Sequence, residues 1–124
     1  MRLLDLESLL HLTKMLGAGP VRDPGLLASA AARPTMTVFG DEAYPGLHAK
    51  AAAILHSIVR NHPLVDGNKR LGWLACVVTL DLSGVTVTLA DEDAFQLVMS
   101  VAEGDLDEVA DIAAALEAGS EPRG

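Results

Sequence analysis

The sequence predicts an all-α domain, a bundle of about six helices with one short β flap. Three observations carry that expectation. Half of the residues are apolar, yet the aromatics are only Phe39, Tyr44, Trp73 and Phe95, so the core has to be built from Leu, Val, Ile and Ala, the material of closely packed helices. Two stretches, Leu47 to Arg60 and Asn68 to Leu82, run on without a proline. Elsewhere, apolar residues follow capping residues at helical spacing.

Asp5 can cap a helix from Leu6 to about Leu16, with Leu6, Leu9, Leu10 and Leu12 as its apolar surface. Gly17, Gly19 and Pro20 end it. Asp23-Pro24 pairs an N-cap with proline at the first helical position, opening a short helix that Arg33-Pro34 stops. Thr35, Met36, Thr37, Val38 and Phe39 alternate and include β-branched residues, with Gly40 behind them; so short a run reads as an extended flap or hairpin on a helical body. The Ala-rich Leu47–Arg60 stretch is the central helix. The next helix runs from about Asn68 to Leu82, with Ser83-Gly84 as its exit. Val85 to Leu89 is a second extended piece. Helices from Asp91 to about Glu103 and from Asp107 to about Ala118 close the bundle, each opening on acids that suit the helix dipole. The stripe of Leu97, Val98, Val101 and Val109 should face the core. Gly119 to Gly124 is expected to fray.

A chain of 124 residues suits one domain, here residues 1–124, and can bury a core without disulfides or metals. Cys76 is the single cysteine and lies in an apolar run, which predicts a buried, inert thiol and fits a reducing cytoplasm. No apolar stretch approaches the roughly 20 residues of a bilayer span. The start, Met-Arg-Leu-Leu-Asp, lacks the features of a signal peptide. A formal charge of −8 opposes direct binding to nucleic acid and favours a basic partner. His11, His48, His56 and His62 come without a His-Asp dipeptide or Glu-x-x-His pattern, so no dedicated zinc site is expected.

Chemistry concentrates in Arg60-Asn61-His62-Pro63-Leu64-Val65-Asp66-Gly67-Asn68-Lys69-Arg70. Three of the nine basic residues fall within this run of an otherwise acidic chain. Gly67 and Asn68 stand where a loop becomes a helix, so free N–H groups and the positive dipole end can hold an anion, and glycine permits close approach. Lys69 and Arg70 add charge-assisted donors. Asp66 offers the carboxylate that a phosphate-bridging magnesium ion would require. Histidine is the residue type best suited to act as a base for a hydroxyl nucleophile, and His62 is the one histidine of this run. Taken singly, each residue reads as a turn, a cap or a solvated charge. Together they supply the recurring parts of phosphoryl transfer.

The run from His62 to Arg70 resembles the signature of the Fic/Doc superfamily, in particular its Doc (death-on-curing) toxin branch, His-x-Phe-x-Asp-Gly/Ala-Asn-Lys-Arg. It matches at His62, Asp66, Gly67, Asn68, Lys69 and Arg70. The resemblance extends over nearly the whole chain through Asp23-Pro24-Gly25-Leu26-Leu27, Arg33-Pro34, Phe39-Gly40, Tyr44-Pro45, the Ala-rich helix and Ala102-Glu103-Gly104. It implies that His62 is the base, that Asp66 helps to hold Mg2+, and that Arg60, Gly67, Asn68, Lys69 and Arg70 bind the phosphates of ATP. It also implies that the Thr35–Phe39 flap docks the target peptide by strand addition.

Two departures bear on activity. Leu64 replaces the family phenylalanine, at about 1 kcal/mol in loop rigidity. AMP-transferring Fic proteins carry Gly where Lys69 stands and a second Arg where Trp73 stands, so the resemblance favours transfer of the γ-phosphate. It therefore implies a cytoplasmic toxin of a type II toxin–antitoxin pair, a kinase acting on a translation protein, elongation factor Tu. Its partner would be a Phd-like antitoxin with a C-terminal segment that folds on binding against the acidic C-terminal helices. The competing expectations are an AMP-transferase and a catalytically silent antitoxin-binding module.

Overall fold

The computed structural model describes residues 2–124. Helix α1 (Leu6–Met15) starts at Asp5, whose Oδ1 accepts the Ser8 N–H at 2.8 Å while Ser8 reaches back to the Asp5 N–H, a reciprocal capping box. Helix α2 (Pro24–Ala32) starts where Asp23 Oδ1 accepts the Leu26 N–H at 3.1 Å, with Pro24 in the first turn. A 3-10 turn over Arg33–Thr35 leads into strands β1 (Thr37–Val38) and β2 (Asp41–Glu42), an antiparallel hairpin. Phe39 and Gly40 form its tip at φ 52 and 85, the two positive values that a tight hairpin turn of matching twist requires. The flap is thus a closed hairpin.

Helices α3 (Leu47–Asn61) and α4 (Asn68–Leu82) follow, then β3 (Val85–Val87), α5 (Asp91–Glu103), α6 (Val109–Ala118) and β4 (Ser120–Pro122). Helix α3 is the hub, packed against α2, α4, α5 and α6. Its Ala51, Ala52, Leu55 and Val59 join a core with Cys76, Leu80, Val98, Val101, Ile112 and Leu116, whereas Ile54 and Ile58 join a second core with Leu9, Leu27, Leu64 and Leu71. Small residues set its spacing from α4: a Cβ on Gly72 would lie 2.7 Å from Val59 Cγ2. Leu97 and Val109 pack on the first core, so the whole predicted stripe faces inward. Burial pushes the Cys76 thiol up to about 12, leaving it protonated and inert. Among the described residues, no helix is long and apolar enough to cross a membrane.

The chain end departs from expectation. Residues 119–123 are tied to the body: β4 pairs antiparallel with β3, Val85 opposite Pro122 and Val87 opposite Ser120. Arg123 locks the pairing, its N–H donating to the Gly84 carbonyl at 2.7 Å and its guanidinium to Asp81 Oδ1 and Thr86 Oγ1, both at 2.9 Å. A backbone ladder and one arginine hold this polar segment, and neither leaves a mark in apolar periodicity. Helix α6 begins two residues later than expected, at Val109, and ahead of it the Asp107 side chain pairs with His56 on α3 at 2.9 Å.

Candidate active site

His62 terminates α3 in the left-handed region at φ 54 and ψ 61, a conformation that histidine tolerates better than most residues. Arg22, forty positions earlier in the chain, clamps this end: Nε donates to the His62 carbonyl at 2.7 Å and Nη2 to the Asn61 carbonyl at 3.0 Å. These are carbonyls that a helix end leaves unpaired, and a guanidinium fork satisfies both. The loop beyond is zipped onto the α1–α2 connection. Arg22 and Asp23 N–H groups donate to the Pro63 carbonyl at 2.7 and 3.0 Å, Val65 N–H to Pro20 at 2.9 Å, and Gly19 N–H to Asp66 at 2.9 Å. Leu64 is buried at 1% exposure in the second core, so leucine serves as the apolar fixing point of the loop.

Asn68 has a different task from the one its position in the run suggests. Its Oδ1 accepts the Leu64 N–H and its Nδ2 donates to the Leu64 carbonyl, both at 2.9 Å, so the side chain is committed to the loop. Nδ2 also lies 3.5 Å from His62 Nδ1, too far to fix the tautomer. Toward an anion Asn68 offers its backbone N–H. Gly67, at φ +92, is required by its surroundings, since a Cβ there would lie 2.5 Å from Ala18 Cβ. No side chain caps α4, and its first intrahelical bond runs from Leu71 N–H to the Gly67 carbonyl at 2.9 Å. The amides of Asn68, Lys69 and Arg70 therefore point out of the helix start, the arrangement that binds anions.

His62, Asp66, Gly67, Asn68, Lys69 and Arg70, with Val65 and Ala102, line one cavity of about 280 Å³. Lys69 has no hydrogen bond or ion pair among the described residues and remains available to a ligand. Arg70 is partly engaged, donating to the Leu16 carbonyl at 3.3 Å and lying 3.9 Å from Asp66. Asp66 is well exposed, and among the described residues no three His, Cys, Asp or Glu side chains gather as a metal cage. A lone carboxylate beside three open amides has the chemistry that magnesium accepts, since that ion keeps several waters and needs few protein ligands.

Two groups of predicted site residues lie outside that lining. Arg60 donates to the carbonyl of Ala102, a wall residue, at 2.9 Å and lies 3.8 Å from Asp107. The flap residues Thr35, Met36, Thr37, Val38 and Phe39 are all exposed, Phe39 completely. The flap root is tied to the rear of the site by a polar chain with no local sequence signal. Arg33 donates to the Tyr44 hydroxyl at 2.8 Å, to Ser57 Oγ at 3.0 Å and to His56 Nδ1 at 2.7 Å. With Nδ1 receiving a guanidinium proton, His56 Nε2 is the donor to Asp107.

The hydrogen bond from His56, with Arg60 and Arg33 behind it, holds the Asp107 carboxyl below its ordinary value. A lowered folded-state value contributes stability that is present above the unfolded pKa of about 3.9 and vanishes as pH falls through the folded value. The stability difference between the native chain and Asp107→Asn should therefore be present at neutral pH and close below about pH 4. Thermal melts across that range check it; a difference that persists in acid would remove Asp107 from the network.

Comparison with known proteins places these residues in context. The Fic/DOC family model matches residues 3–80. The chain is 49% identical over 108 residues to Toxin Doc of Mycolicibacterium smegmatis, a match covering 80% of this chain and 82% of that protein. The matched family region ends within α4 and so contains the whole run from Arg60 to Arg70.

Proposed function

The chain belongs to the Fic/Doc family, and on that premise we propose that this Doc-type toxin is an ATP-dependent protein Ser/Thr phosphotransferase acting on elongation factor Tu and arresting growth. The observation that carries the reading is the one cavity in which His62, Asp66, the open amides at the start of α4 and Lys69, unpaired among the described residues, meet. In the reaction, an imidazole nitrogen of His62 takes the proton of the target hydroxyl. The hydroxyl oxygen bonds to the γ-phosphorus, the bond from that phosphorus to the β–γ bridging oxygen breaks, and ADP leaves. The amides of residues 68–70 and the Lys69 ammonium hold the transferred phosphoryl group where its charge spreads. Asp66 would hold Mg2+, which neutralises phosphate charge when bound.

The free edge of β1, with exposed Met36 and Val38, offers a strand for the target peptide to extend. A Phd-like antitoxin would take a separate groove. A groove of about 520 Å³ runs between the Tyr44–Ala49 segment and α6, floored by Ala110, Ala113 and Ala114 and rimmed by Asp107, Glu108 and Glu117. A disordered basic tail folding as a helix on that acidic rim would bind faster at low salt.

Incubation of the chain with elongation factor Tu, magnesium and either γ- or α-labelled ATP tests the reading. Label should pass to the target from the γ position only, and Lys69→Ala should slow transfer about a hundredfold by removing a charge-assisted contact. Label from the α position would replace the kinase reading with AMP transfer. Absence of any label would leave a binding module.

A further inference from the structure

Among the described residues, the ring of His62 makes only the 3.5 Å contact to Asn68 Nδ2, so its place at the cavity is set by its backbone. That backbone is unfavourable twice over. Its φ of 54 and ψ of 61 lie in the left-handed region, and a residue that precedes a proline is drawn toward extended conformations. Relaxation of His62 to an extended backbone would turn its Cβ, and the imidazole with it, in another direction. One side chain opposes this. Arg22 donates from Nε to the His62 carbonyl at 2.7 Å and from Nη2 to the Asn61 carbonyl at 3.0 Å, and among the described residues no other side chain bonds either.

The Asn61 carbonyl belongs to the peptide plane before the His62 Cα, and the His62 carbonyl to the plane after it. The φ and ψ of His62 are rotations of those two planes, so one rigid guanidinium bonded to both carbonyls fixes both torsions together. Arg22 is itself held, because its N–H donates to the Pro63 carbonyl at 2.7 Å and Val21 pairs with Leu64 in an antiparallel bridge. Three successive carbonyls, of residues 61, 62 and 63, thus accept from one arginine. We infer that Arg22 is a positioning residue for phosphoryl transfer, its guanidinium holding the His62 backbone in the conformation that keeps the imidazole at the cavity. The inference rests on the reading of His62 as the base. Arg22 is exposed and lies outside the cavity lining, so ATP binding does not depend on it, and water can solvate both carbonyls once the fork is removed. Its loss costs the reaction more than the fold.

Kinetics of the full chain with elongation factor Tu, ATP and magnesium provide the test. Arg22→Ala should lower kcat by a factor of about 10 to 100, the penalty for a base displaced by about 1 Å, and leave the KM and Kd of ATP unchanged. Its melting temperature should fall by only about 5 °C. Arg22→Lys keeps the charge and the stem but has no planar fork, so it should be slowed almost as much. In NMR spectra of both variants the His62 ring signals should shift, while those of His48, at the far end of α3, stay in place. Native kcat in either folded variant, unmoved His62 signals, or a loss of ATP affinity as large as the loss of rate would overturn the positioning role alone. Collapse of both variants would assign Arg22 to the fold and overturn it as well. Transfer at the native rate by folded His62→Ala would overturn the reading of His62 as the base and this inference with it.

Discussion

His62→Ala should lose transfer to the protein target by a factor of about 10² to 10⁴, the contribution of a positioned general base, and should still fold. The fold uses the backbone of His62: its N–H bonds Ile58, and its carbonyl receives Arg22. His62 is exposed, and among the described residues its side chain makes only the long polar contact to Asn68. The left-handed conformation is the one local demand, so His62→Asn, which suits that region better than alanine, serves as a companion. Both variants should be inactive with near-native melting temperatures. Transfer at the native rate by either folded protein would exclude His62 as the base.

Gly67→Ala should be the most damaging single-methyl change near the site. A left-handed alanine costs about 1–2 kcal/mol, and forcing its Cβ against Ala18 adds about 1–3 kcal/mol. For a domain of this size the sum lowers the melting temperature by roughly 10–20 °C. Relief of the clash would push the start of α4 away from the 17–19 loop, tilting the amides of residues 68–70, so transfer should fall as well. Gly17→Ala is the internal control: Gly17 also has positive φ, at +63, but nothing lies within 4 Å of its added Cβ. Equal melting losses for the two variants would show that backbone strain, rather than the Ala18 contact, is what requires glycine at 67.

The helices were legible because their signals are local. Asp5 and Asp23 cap where expected, and α4 and α5 begin and end on the predicted residues. The gathering of the candidate site was legible for the same reason: His62, Asp66, Gly67, Lys69 and Arg70 are neighbours in one loop and helix start, so contiguity in the chain became contiguity around one cavity. What holds that loop was not legible. Arg22 reaches across forty positions to the end of α3, Asn68 turns its side chain inward to Leu64, and Arg33 meets His56 and through it Asp107. The frayed end that composition suggested is a strand, because β3 offers it a free edge. Sequence by itself determined the helices and the inventory of reactive groups, since capping, periodicity and side-chain chemistry act within a few residues. Only the tertiary structure decided which donors are free and which are committed. Hydrogen bonding between distant segments depends on how α3 seats its neighbours, and side-chain packing sets that seating in three dimensions.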